Sequence, residues 1–211
     1  MKVWHLPRFF RIAVLFALGV GLAGCASAPA WQQPYALQSA AAPVAAHAAP
    51  RAGVLRLEAV AAPSWLAAPE LLYRLQYADP QALYPYNNAR WAAAPGQMLA
   101  SLLVQRLQQQ GDWRAVLGPG QAGRPELLLQ LGLQNFVIDY SSAQQGEAQI
   151  ACTATLLRAK DYRVLAQKSF VVHAALPKPG PAGGAAAMNA AAQQMVDQIS
   201  AWAAQQSPAG A

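Results

Sequence analysis

The two cysteines of this sequence stand in opposite settings. Cys25 closes the run Leu22-Ala23-Gly24-Cys25, where small and apolar residues lead straight into a thiol that could be covalently modified. Cys152 lies among Ile150, Ala154 and Leu156 at alternating positions, which predicts an inert thiol on a buried strand face. The three histidines, His5, His47 and His173, are far apart, and no His/Cys/Asp/Glu spacing suggests a metal site. A Ser-His-Asp set would have to use His173, and no serine sits in a nucleophile-elbow sequence. Gly118-Pro119-Gly120-Gln121-Ala122-Gly123-Arg124 lacks the Lys-Ser/Thr that a phosphate-cradling loop places after its glycines, so it reads as a turn. The acidic residues are scattered singly. The expectation is therefore no catalytic residue, no metal and no cofactor. What stands out instead is a group suited to binding another protein: Trp65, Tyr73, Tyr84, Tyr86 and Trp91 with Arg74 and Arg90. Tyr, Trp and Arg dominate interface hot spots. The competing reading makes Trp91 and Tyr73 core and leaves the arginines solvated. Loop placement favours contact roles for Trp65, Tyr84 and Tyr86.

The first 24 residues explain Cys25. Lys2, Arg8 and Arg11 form a basic stretch, and Ile12 to Gly21 form an apolar run. That run is too short for a membrane span of about 20 residues and fits the roughly 7–15 of a signal peptide. The arrangement resembles a bacterial lipoprotein signal. The resemblance implies a diacylglycerol on the Cys25 sulfur, cleavage before Cys25 and acylation of the freed amine, with fatty acids such as palmitate. Each buried methylene contributes about 0.8 kcal/mol and stable anchoring takes more than one chain. Ala26 is not Asp, so no inner-membrane retention signal is visible, and the implied site is the outer membrane, facing the periplasm. Removing the three N-terminal cations lowers the formal net charge from +6 to +3. No later segment carries a dense Lys/Arg run, which argues against nucleic acid.

Residues 25–53, rich in Ala and Pro, read as a flexible tether, with a first strand around Tyr35-Ala36-Leu37 as the alternative. Val54 to Val60 starts the fold as a strand. Leu71 to Leu75 is a second strand, and Ala82-Leu83-Tyr84 a short third one stopped by Pro85. Pro95-Gly96 opens a helix with leucines at helical spacing, and Gly111 sits where a C′ glycine belongs. Trp113 to Leu117 is a short strand, and Leu127 to Tyr140 is the strongest one. Its apolar phase flips from Leu127, Leu129, Leu131 and Leu133 to Phe136, Ile138 and Tyr140, which predicts a bulge near Gln134-Asn135. Gln149 to Arg158 and Val164 to His173 follow as strands, in the tight spacing of an antiparallel meander. Pro177 to Gly184 reads as a loop. Met188, Ala191, Ala192, Met195, Ile199 and Trp202 form the apolar stripe of a last helix, and 207–211 is a tail. The expected fold is α+β: a single antiparallel or mixed sheet with two helices on one face, spanning 54–206.

The stretch from Val60 to Leu107 also carries a pattern. Pro63, Leu66, Pro69, Leu71 and Tyr73-Arg74 are followed by Leu83, Tyr86, Arg90-Trp91, Pro95 and Met98-Leu99. Leu129-Gln130-Leu131, Phe136, Arg163-Val164-Leu165 and Phe170 continue it. This resembles the ABC-type transport auxiliary lipoprotein family, whose members accompany transporters of the mammalian-cell-entry and paraquat-inducible type. The resemblance implies a non-enzymatic envelope subunit with a periplasmic mammalian-cell-entry partner, possible homo-oligomers, and lipid or another hydrophobic cargo. A structural or assembly lipoprotein serving an unrelated envelope machine is the alternative, since fold does not fix function.

Overall fold

The computed structural model describes residues 31–39 and 52–206, so Cys25, the run 1–24 and the tail 207–211 lie outside the described residues. The elements are β1 (Gln33–Tyr35), β2 (Ala52–Leu57), a 3₁₀ turn (Ser64–Leu66), β3 (Glu70–Leu75), β4 (Asp79–Trp91), α1 (Pro95–Gln110), β5 (Trp113–Leu117), β6 (Leu127–Tyr140), β7 (Gly146–Arg158), β8 (Val164–Ala175) and α2 (Pro181–Gln206). The fold is α+β, a mixed eight-stranded sheet with two helices.

β6 organises the sheet. One edge pairs antiparallel with β7 along its whole length, and β7 pairs antiparallel with β8. The other edge is shared. Leu55–Leu57 of β2 run parallel to Leu127–Leu129, Ala61 bridges to Gly132, and Tyr73–Leu75 of β3 run parallel to Ile138–Tyr140. β2 and β3 are thus successive pieces lying along one strand, separated by the excursion that carries Trp65. β5 extends the sheet beyond β2 in parallel, and β4 extends it beyond β3, with β1 parallel to the last residues of β4. The expected meander holds for β6–β8 only. β3 and β4 form a separate antiparallel hairpin, whereas the parallel pairings of β1, β2, β3 and β5 join strands far apart in sequence, where hairpin-like spacing did not reveal them.

The bulge falls where the phase flip puts it, between Leu133 and Asn135. It keeps Leu129, Leu131 and Leu133 in the same core as Phe136, Ile138 and Tyr140. α1 begins with Pro95 at its first turn and ends on Gly111 at φ 70°, a left-handed cap that glycine adopts without a Cβ clash. Leu99, Leu103 and Leu107 are fully buried, and Arg106 of α1 meets Asp197 of α2 at 2.5 Å. The Met188–Trp202 stripe of α2 is buried against β6, β7 and β8.

Three boundaries differ from the sequence reading. Strand β1 and the first two residues of β2 lie inside the stretch 25–53 taken as a tether. Tyr35 and Leu37 pack on the core, which repays their ordering. β4 does not stop at Pro85 but runs through Pro80 and Pro85 to Trp91. β1 covers only Ala89–Trp91, so the prolines sit in an edge strand, where a missing N–H is tolerated. Finally, α2 starts at Pro181, inside the expected Pro/Gly loop. Gly183 and Gly184 are buried in its first turns because a Cβ there would meet the Lys178 carbonyl oxygen and Ile138 Cδ1 respectively.

Candidate functional site

Tyrosines gather at the β3–β4 hairpin. Tyr73 and Tyr84 are register partners and stack with ring centroids 5.5 Å apart. Tyr86, two residues further along β4, lies 4.6 Å from Tyr73, and Tyr140 at the end of β6 meets Tyr73 edge-on at 6.1 Å. Offset and edge-on pairs of this kind contribute roughly 0.5–1.5 kcal/mol beyond area burial. The Tyr86 and Tyr140 hydroxyls are 2.8 Å apart, and the Gly180 N–H donates to Tyr140 Oη at 2.9 Å, fixing the cluster to the start of α2. Burial, then the Tyr140 hydrogen bond, pushes the Tyr86 phenol well above its ordinary range, so it stays protonated. The rings thus pack on one another from the buried Tyr140 out to the exposed Tyr84. At the same hairpin Tyr77, Leu83 and Tyr84 are exposed by 53%, 37% and 37%.

The structure sorts the residues singled out from sequence. Tyr73, Tyr84 and Tyr86 come together, and the latter two sit on a strand, not a loop. Trp91 is core, 1% exposed and edge-on to Phe136 at 5.5 Å. Arg74 points to the other face of the sheet, where its Nε donates to Asp139 Oδ1 at 2.9 Å beside Gln76 at 3.2 Å. That pair neutralises the nearly buried Asp139 and has a structural role. Arg90 is exposed and stands opposite Glu70 in the register. Trp65 is 39% exposed on the 3₁₀ turn, outside the tyrosine ring contacts. Sequence reasoning missed Tyr140 as a member of the cluster. Tyr140 was visible as the last apolar residue of the strongest strand, but nothing local tied it to β3.

Among the described residues no group of three or more His, Cys, Asp or Glu converges as for a metal, and no helix is long and apolar enough to cross a membrane. Cys152 is fully buried, with its Sγ 3.5 Å from Met195 Sδ, and burial pushes the thiol up to about 12.

The model of the ABC-type transport auxiliary lipoprotein component family matches residues 35–200, from the end of β1 into α2. The chain belongs to that family. Among solved structures, protein XCC0632 from Xanthomonas campestris, of the DUF330 family, is 25% identical with a TM-score of 0.71, over 82% of this chain and 95% of that one. An uncharacterised protein at 19% identity and TM-score 0.64 covers 82% of this chain and 99% of its own. The hypothetical protein CT253 from Chlamydia trachomatis, 10% identical with a TM-score of 0.53, covers 74% and 97%. The last two show the shared fold alone. No curated protein matches. The family match starts at residue 35, so it takes in part of the stretch read from sequence as a tether.

Proposed function

We propose that this auxiliary lipoprotein is a non-enzymatic subunit, anchored in the outer membrane through lipids on Cys25 and facing the periplasm. There it docks the periplasmic mammalian-cell-entry protein of an ABC transporter that moves lipid or another hydrophobic molecule. The family match over residues 35–200 carries the reading. The exposed aromatic end of the β3–β4 hairpin supports a docking role, because tyrosines already stacked on one another lose little entropy when a partner covers them. Trp65 and Arg90 are the remaining exposed members of the proposed contact.

The test is a pull-down of the full chain with the mammalian-cell-entry protein encoded beside it. Tyr84→Ala should weaken binding by about thirtyfold, the roughly 2 kcal/mol of one hot-spot anchor, with little change in the melt. Unchanged binding would remove the tyrosines from the interface. Separately, Cys25→Ser should abolish fatty-acid labelling and release the protein from the outer-membrane fraction. Retention there without label would refute the anchor.

A further inference from the structure

At the opposite end of β6 from the tyrosines, roughly 40 Å along a 14-residue strand, the uncovered face of the sheet holds a second feature. A groove of about 610 Å³ opens between the start of β6, the end of β7 and the loop before β6. Arg56, Arg124, Arg158 and Lys160 line it, against the carboxylates of Glu58 and Glu126. The cations are not equally spent. Arg158 is shared with Asp161 at 3.4 Å, a long pair between half-exposed groups. Glu126 pairs through Oε1 with Arg114 from outside the groove, and its buried Oε2 has no hydrogen-bond partner among the described residues. Arg124 and Lys160 form no ion pair among the described residues.

Arg56 is held in place. Its Nη2 donates to the carbonyls of Gln121 at 3.1 Å and Gly123 at 2.9 Å, while its buried Nε has no partner. These bonds fix the guanidinium plane but leave its charge unneutralised. The floor beside it is apolar. Leu128 is the register partner of both Arg56 and Leu157, and the two leucines are buried at 5% and 7% outside the main core cluster. At the mouth stands Tyr162, 68% exposed at φ 57°. A left-handed backbone is unfavourable for an L-tyrosine, and this ring is mostly exposed. This backbone closes the β7–β8 turn, where the Tyr162 N–H donates to the Arg158 carbonyl at 2.9 Å, and it leaves the ring exposed beside Arg158 and Lys160.

We propose that this groove binds the phosphate of an anionic ligand, with Arg56, Arg124 and Lys160 as the phosphate contacts and Leu128 and Tyr162 as the apolar wall. Arginine forks match phosphate oxygens in pairs, and a fixed guanidinium loses little on binding. The chemistry is shared by a phospholipid headgroup and by free phosphate. The site is separate from the tyrosine surface and does not rest on the transport reading.

The full chain, held in a neutral detergent, is titrated calorimetrically with inorganic phosphate and with dihexanoyl phosphatidic acid. Saturable binding is expected, weakened about tenfold or more in the double variant Arg124→Glu, Lys160→Glu. The melting temperature of that variant should be unchanged, since both side chains are exposed. Tighter binding of phosphatidic acid than of phosphate identifies the headgroup as the source, and equal affinity identifies phosphate alone. Tyr162→Gly relieves the left-handed strain, so it should raise or preserve the melting temperature while weakening phosphatidic acid binding. Absence of saturation with both ligands, or an unaltered affinity in the charge-reversal variant, overturns the proposal.

Discussion

At the scale of single residues, the core imposes chemical silence on groups that would otherwise react. Cys152 is sealed between β7 and α2, and its thiol is pushed up to about 12. Cys152 of the native protein should not react with a thiol reagent at pH 8, and its full reaction should appear only on unfolding. The pH dependence follows from the same shift. An unfolded cysteine ionises near 8.5–9, whereas the folded one holds its proton to about 12. Between those values the native state binds more protons than the unfolded state, so this contribution to stability is complete below pH 9 and is lost as pH rises toward 12. Denaturant unfolding at pH 8 and pH 10 should show a steeper loss for wild type than for Cys152→Ala. Trp91 gives a second test. Its Nε1 is buried without a hydrogen-bond partner, so the indole contributes through packing on Phe136. Trp91→Phe loses no hydrogen bond and should cost about 1.5 kcal/mol or less, against about 3–5 kcal/mol for Trp91→Ala, read from melts. Trp91 and Tyr73 were alike in the sequence, both aromatic beside arginine. They differ in the structure because Trp91 faces Phe136 in the centre of β6, whereas Tyr73 faces the strand's open end. That distinction depends on a pairing 60 and more residues away, which no local pattern reports.

At the scale of elements, what was legible was what local physics decides. The α1 boundaries followed from Pro95 and Gly111, and the β6 bulge from a phase flip within one strand. The start of α2 was misread because Gly-Gly ordinarily disfavours a helix by about 1 kcal/mol per residue relative to Ala. Here tertiary contact overrides propensity. Gly183 lies against the Lys178 carbonyl oxygen, a backbone atom that cannot swing aside. Gly183→Ala should therefore lower stability by about 1–3 kcal/mol, the usual range for overpacking, where propensity alone predicts a gain. A rise in melting temperature for this variant would show that the first turn of α2 is free to shift. The parallel pairings of β2 and β3 on β6 were not legible for the opposite reason. They leave no hairpin turn in the sequence, and the edge strand β4 is disguised by Pro80 and Pro85.

At the scale of the whole molecule, the segment between the proposed anchor Cys25 and the sheet would decide how the domain is held. If residues 25–53 were all free tether, 29 residues could reach on the order of 100 Å when extended. With β1 docked on β4, only the residues before Gln33 can act as a leash, and eight residues span at most about 28 Å. β1 is short but well tied. Gln33, Pro34 and Tyr35 pair with Ala89, Arg90 and Trp91, and the Ala92 N–H donates to the Tyr35 carbonyl at 2.7 Å. Beyond the strand, the Gln38 N–H donates to Asn189 Oδ1 at 2.8 Å and the Gln38 carbonyl accepts from Gln193 Nε2 at 3.0 Å, so the segment clasps α2 as well as the sheet. A chain beginning at Gly53 loses these bonds, leaves the β4 edge bare at Ala89–Trp91, and removes the packing of Tyr35 and Leu37. Each hydrogen bond contributes about 0.5–1.5 kcal/mol net, partly offset by the entropy of ordering the segment. A net loss of about 1–3 kcal/mol corresponds to roughly 2–12 °C for a domain of this size. Thermal melts of a chain starting at Gln32 and one starting at Gly53, with Tyr35→Ala as a point variant of the longer chain, measure it. The longer chain should melt higher, and Tyr35→Ala in it should lose part of that advantage. Equal melting temperatures would mean that β1 contributes nothing to the fold, and the full 29-residue leash would then be restored.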